Sequence, residues 1–134
     1  MNTHYYKLIC IAGLMKVASL IDDVFPPEDL PNYSVRKIIG KGSYGHVARA
    51  VRKDGNATVA IKKITNIFHK QPEARRILRE IILLKKCNHP NIVHLLDIII
   101  PKSQNRKNFT DLYLVTEYCD CDLAKVFRTE SNFL

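Results

Sequence analysis

From Tyr33 onward the chain alternates short apolar-rich runs with polar turns. Val35, Lys37 and Ile39 alternate with Arg36 and Ile38, the period of two that marks a strand. A second run, Val47 to Val51, ends at Asp54-Gly55, a dipeptide that signals a hairpin between strands. A third, Ala57 to Ile64, places Ala60 and Lys62 on one face and Ile61 and Lys63 on the other. The spacing then changes: Ala74, Ile77, Leu78, Ile81 and Leu84 recur at helical intervals, predicting a helix from Pro72 to Lys86 with this apolar face inward. Pro72 suits the first turn, Glu73 its positive end, and Lys85 and Lys86 its negative end. Beyond the helix, a stretch from Pro101 to Thr110 rich in Lys, Asn and Gln reads as a solvated loop between the apolar runs Leu95–Ile100 and Leu112–Thr116.

The residues before Tyr33 follow no such pattern. Residues 8–15 form an apolar run too short for a membrane span, which needs about 20 residues. The run reads as a packed or partly disordered extension; a signal peptide with Lys7 in its basic region is an alternative, as is a start at Met15. From Asp22 to Pro31 the composition is acidic, with Pro26, Pro27 and Pro31, and reads as a linker.

Composition then narrows the class. The 134 residues are 46% hydrophobic and 25% charged, which excludes disorder as the default and allows one domain's worth of core. The net charge of +8 is concentrated in residues 33–90, where 14 Lys and Arg face Asp54, Glu73 and Glu80. Such a middle suits nucleic acid, anionic lipid, a phosphorylated partner or simply a solvated face. A nucleic-acid domain would also need interleaved exposed aromatics or a recognition helix, and neither is apparent. Cys10, Cys87, Cys119 and Cys121 make no zinc spacing, and Cys119-x-Cys121 has no second half, so reduced thiols are expected and no metal site.

Chemistry concentrates in three places. Ile39-Gly40-Lys41-Gly42-Ser43-Tyr44-Gly45-His46-Val47 is a G-x-G-x-x-G-x-V string. Glycines there let a backbone turn sharply and approach phosphates. In a dinucleotide fold this string leads into a helix; here both flanks are strands, which argues against that fold. Lys62, next to the small Ala60 on one strand face, suits phosphates beside a flat base. Glu80 lies about 40° from Leu84 around the helix, half sheltered, and needs a cation; Lys62 is the natural candidate.

These ordered elements, with Val59-Ala60-Ile61-Lys62 and Glu80, resemble the N-terminal lobe of a eukaryotic protein kinase. Gly-Ser-Tyr-Gly (42–45), Val-Ala-Ile-Lys-Lys-Ile (59–64), the run Arg75 to Ile81 and Leu95-Leu96-Asp97-Ile98-Ile99 are similar to the mitogen-activated protein kinases. Cyclin-dependent kinases share part of this, but their helix carries a PSTAIRE-type motif where this chain has arginines.

The resemblance implies an α+β fold, a five-stranded antiparallel sheet with one regulatory helix. It divides the chain into a 1–32 extension and linker and a 33–134 kinase lobe reaching through the hinge into the next helix. It implies ATP as cofactor, with the glycine loop over its phosphates, Lys62 on the α/β-phosphates and Glu80 bracing Lys62. Thr116 would close the pocket behind the adenine, the backbone of Glu117 and Cys119 would bond the base, and Asp122 would meet the ribose. Leu84 and Leu95 would support helix and sheet, and Arg76 and Arg79 would meet phosphate on an activation loop. It further implies Mg2+, protein substrates bearing Ser or Thr, an upstream activating kinase, no nucleic acid or membrane, and a cytoplasmic or nuclear location. No His-Arg-Asp-x-x-x-x-Asn loop and no Asp-Phe-Gly occur in the 134 residues, so the metal ligands are missing. The expectation is a fragment, inactive by itself; the alternatives are a non-catalytic nucleotide-binding or dominant-negative interaction module, or a cyclin-dependent-kinase-like fragment.

Overall fold

A computed structural model describes residues 18–130. The readings of residues 8–17, and of the chain end at Phe133 and Leu134, lie outside them. A helical segment, α1 (residues 18–24), precedes strands β1 (Tyr33–Gly42), β2 (Gly45–Arg52) and β3 (Thr58–Ile64). Helix α2 (Gln71–Lys86), strands β4 (Leu95–Ile99) and β5 (Leu112–Glu117) and helix α3 (Leu123–Glu130) follow. The five strands form one antiparallel sheet in the order β1-β2-β3-β5-β4. Strand β5 therefore inserts between β3 and β4, and α2 carries the chain from β3 to the sheet edge. The α+β arrangement is the one the resemblance implies.

Strand alternation gives the sheet two separate cores. Ala48, Ala50, Val59, Ile61, Tyr113 and Val115 point to one face. Ile64, Leu112 and Leu114 point to the other, where Ile67 and Ile77 join them.

The first core is covered by residues that were expected to be a linker. Phe25 and Leu30 are each 1% exposed and pack against Tyr33, Val59 and Tyr113. The Phe25 and Tyr113 ring centroids are 6.2 Å apart. Burying each such side chain contributes about 1.5–3 kcal/mol, enough to hold a short segment on the sheet. Backbone bonds brace it: the Asp29 and Leu30 N–H groups donate to Pro26 and Pro27, and the Lys53 N–H donates to Asn32. Residues 25–32 are thus a packed strap. The prolines shape its turns; they do not mark a free hinge.

Helix α2 begins and ends within one residue of its expected span, but its inward face is narrower. Only Ile77 is buried, with Ala74 and Ile81 packed beside it, while Leu78 is 57% exposed. One residue is about 100° of rotation, so Leu78 is turned away from the line through Ile77. It borders an open apolar groove of about 310 Å³ with Ile67, Phe68, Phe109 and Leu112. Phe68 and Phe109 meet edge-on there, with centroids 5.5 Å apart.

The β2–β3 connection turns through Asp54-Gly55, as expected. It runs from Lys53 to Ala57, and the left-handed residue is Asn56 (φ 56°), not Gly55. The Arg52 N–H donates to the Ala57 carbonyl and the Asn56 N–H to that of Arg52, so the loop is closed by its own backbone.

Candidate nucleotide site

The glycine string forms the β1–β2 hairpin, with Gly42 opposite Gly45 and Ser43-Tyr44 as its turn. Irregularities between Val35 and Lys37 and between Ile38 and Gly40 bend β1 toward that tip. The glycines are not equivalent. Gly45 has φ +146°, and a Cβ there would stand 2.0 Å from the Lys63 carbonyl oxygen, so the fold itself demands glycine. At Gly40 and Gly42 a Cβ would meet only ordinary contacts, at 3.9 Å from Val47 and 3.8 Å from Gly45. Their lack of side chains leaves open space along the hairpin that the protein's own packing does not use. The tip is drawn over the end of β3: Thr65 N–H donates to the Tyr44 carbonyl, and the Tyr44 side chain packs on the second core. Ile39, Lys41 and Ser43 are exposed, and His46 and Val47 half-buried.

Strand β3 carries the next groups. Lys62 lies opposite Val47 on β2 and Leu114 on β5; Ala60 lies opposite Arg49 and Thr116. Val47, Ala60, Lys62 and Thr116 therefore share one face of the sheet, beside the part that α2 covers. The Lys62 ammonium donates to Glu80 Oε1 on α2 at 2.7 Å, with about a third of each side chain exposed. An ion pair this open contributes about 1 kcal/mol or less to stability, so its value lies in position. It fixes a cation on the strand face opposite Val47 and ties a helix otherwise held by little more than Ile77. The neighbouring Lys63 faces the other way, donating to the Val24 carbonyl at 2.8 Å with its ammonium 5.6 Å from the Tyr113 ring centroid. Of the two lysines, Lys62 is the one that meets Glu80.

At the end of β5 the chain leaves the sheet through Tyr118 to Asp122. The Thr116 hydroxyl donates to the Glu117 carbonyl at 3.3 Å, and the Glu117 N–H donates to the His94 carbonyl at 3.2 Å. The Glu117 carboxylate accepts from the His94 N–H at 3.1 Å and lies 3.0 Å from His94 Nδ1, while His94 Nε2 lies 3.2 Å from Asn88 Oδ1. The His94 amide, and after it the His94 ring, holds the Glu117 carboxyl below the usual carboxylate range. This brace from the segment after α2 to the start of the hinge was not foreseen, although Glu117 was expected to act through its main chain. Cys119 is exposed. Asp122 is exposed and caps α3, its Oδ1 accepting from the Lys125 N–H at 2.6 Å. Arg49 reaches from β2 to place its guanidinium 5.3 Å from the Tyr118 ring centroid, linking sheet and hinge. Arg76 and Arg79 are exposed on α2.

Among the described residues, no group of three or more His, Cys, Asp or Glu side chains is placed to hold a metal ion. No helix among them is long and apolar enough to cross a membrane.

Comparison with known proteins agrees with this geometry. Residues 33–134 match the family described as protein kinase domain. Mitogen-activated protein kinase 8 of Oryza sativa subsp. japonica is 44% identical over 104 residues, covering 78% of this chain and 18% of that protein. Mitogen-activated protein kinase 12 of the same plant is 45% identical over 100 residues, covering 75% of this chain and 17% of the relative. Mitogen-activated protein kinase 9 of Arabidopsis thaliana is 42% identical over 100 residues, covering 75% and 19%. The chain thus spans less than a fifth of the length of these relatives. With its glycine hairpin, its strand lysine paired to a helix glutamate and this similarity, the chain belongs to the protein kinase domain family and is mitogen-activated-protein-kinase-like.

Proposed function

We propose that this chain is the ATP-binding lobe of a serine/threonine protein kinase. The observation that carries the reading is the 2.7 Å Lys62–Glu80 pair, held on the face that Ala60 and Thr116 share, opposite Val47 on a hairpin strand, with only ordinary contacts at Gly40 and Gly42. The triphosphate is the group that such a place suits. The N–H groups from Lys41 to His46 would donate to its oxygens, and Lys62, kept from swinging by Glu80, would neutralise the α/β-phosphates. Val47 and Ala60 offer apolar contact to a flat base, with Ile39 at the rim and Thr116 at the back. The Cys119 main chain would bond the base, and the Glu117 carbonyl would join once the Thr116 hydroxyl turns away from it. The Asp122 carboxylate, which caps α3, would meet the ribose.

In the complete reaction the γ-phosphoryl group passes to a Ser or Thr hydroxyl of a protein, with Mg2+ neutralising charge. The described residues do not themselves fit a magnesium site, so their part is to bind and orient the nucleotide. An upstream activating kinase, protein substrates and a cytoplasmic or nuclear location belong to the same reading, to which the free thiols of Cys87, Cys119 and Cys121 are suited.

Titration of the chain with a fluorescent ATP analogue tests the proposal. Saturable binding is expected, competed by ATP, and Lys62→Met should weaken it about tenfold or more, with the thermal unfolding temperature little changed. Equal affinity in a folded Lys62→Met variant would overturn the assignment.

A further inference from the structure

We propose that Cys119 and Cys121 form a reversible dithiol–disulfide site, oxidised by hydroperoxides. Both thiols are free and exposed. They sit in the irregular segment between β5 and α3, on either side of a bend at Asp120. Two residues of chain span at most about 6.6–7.2 Å when fully extended. Disulfides need Cα atoms about 4.4–6.8 Å apart, so a bend between the two cysteines shortens their separation into the bridging range. Cys87, by contrast, is half-buried just beyond the end of α2.

The chemistry balances with hydrogen peroxide alone. One thiolate attacks an oxygen, the O–O bond breaks, and water leaves with a sulfenic acid formed on the cysteine. The second thiol attacks that sulfur, expelling a second water as the S–S bond forms. Two thiols are oxidised and one peroxide is reduced. The ring closed across one intervening residue is small and strained, which makes the bridge easy to reduce again.

The bridge has a consequence at the nucleotide site, and that part rests on the function proposed above. Closing the ring fixes the backbone on both sides of Asp120, including the Cys119 N–H and carbonyl assigned to the base. It also pulls on the start of α3, where Asp122 is the cap. Nucleotide affinity should therefore fall on oxidation and return on reduction.

The experiment uses the full chain carrying Cys10→Ser and Cys87→Ser, so that only the pair remains, treated with stoichiometric hydrogen peroxide. Mass mapping should find the loss of two hydrogens in the peptide containing both cysteines, reversed by dithiothreitol. Binding of the fluorescent ATP analogue should weaken about tenfold on oxidation, the equivalent of one lost hydrogen bond to the base. Adding Cys121→Ser should leave basal binding unchanged and make it insensitive to peroxide. Stable sulfinic acids, bridges only between chains, or an internal bridge without effect on binding to a chain that binds when reduced would each overturn the proposal. Failure of the reduced chain to bind ATP would instead overturn the nucleotide reading, and peptide mapping would still decide whether the bridge forms.

Discussion

Tyr113, in strand β5 between β3 and β4, donates its phenol proton at 2.9 Å to Asp29, 84 positions earlier in the chain. Asp29 is 5% exposed, and its other oxygen accepts from the Lys102 N–H at 2.8 Å. One carboxylate therefore joins the strap, the sheet and the β4–β5 loop. Asp29→Ala would leave a buried hydroxyl and an amide without their acceptor, and should cost about 2–4 kcal/mol in urea unfolding. A loss below about 0.5 kcal/mol would show that the strap is held by Phe25 and Leu30 alone.

The same bond sets an alkaline limit. Burial, and then the Asp29 hydrogen bond and charge, push the Tyr113 phenol far above its ordinary value; burial and Asp97 push Tyr33 up as well. An acid whose folded pKa is raised holds its proton better in the native state. Its contribution is complete below the unfolded value and is lost as pH rises beyond about 10. Stability should fall steeply above that pH, and Tyr113→Phe should flatten the fall while costing about 1–3 kcal/mol near neutrality. An identical alkaline slope in the variant would exclude Tyr113 as its source.

The three glycines of the hairpin should separate stability from binding. Gly45→Ala meets the Lys63 carbonyl and a positive φ, so a loss of at least about 2 kcal/mol is expected. Gly40→Ala and Gly42→Ala should change stability by less than about 1 kcal/mol and weaken the ATP analogue instead. Equal stability losses at all three would remove the argument that two of them keep space for a ligand.

Arg49 and Tyr118 offer a coupling to measure. A cation over a partly exposed ring contributes about 0.5–1 kcal/mol, and a double-mutant cycle with Arg49→Ala and Tyr118→Leu should return that energy. A coupling of zero would mean that the sheet and hinge are not joined through this pair.

On the acid side the relevant group is Glu117, whose folded pKa is lowered by His94. Its contribution is present above the unfolded carboxylate value and is lost as pH falls below about 4. Glu117→Gln should therefore be less stable than the parent at pH 7 and converge with it near pH 3 in parallel unfolding titrations. A constant gap across that range would assign the effect to packing.

Much of this was legible in the sequence because it repeats or is spaced. Alternation gave the strand faces, so Lys62 was separable from Lys63 and its pairing with Glu80 could be anticipated. The strap was not legible: Phe25 and Leu30 are isolated apolar residues among prolines and acids, and their burial depends on distant partners such as Val59 and Tyr113. Leu78 misled for the opposite reason. It fits the helical stripe, but α2 meets the sheet along a line only as wide as Ile77 and its flanks. The His94–Glu117 brace left no pattern at all, since its two residues come from a loop and a strand end that only the fold brings together. Asp122 reads from the resemblance as a ribose contact, and its bond to the Lys125 N–H at the start of α3 has no counterpart in that reading.

Lys62 and Lys63 have one more consequence. One reaches α2 and the other the carbonyl of Val24, from opposite sides of the same strand. A single peptide unit thus sets the relative alignment of three layers: N-terminal segment, sheet and helix. Prising residues 24–30 from the outer face would release β3 on one side only, and the first group to feel the slack would be the lysine one position away.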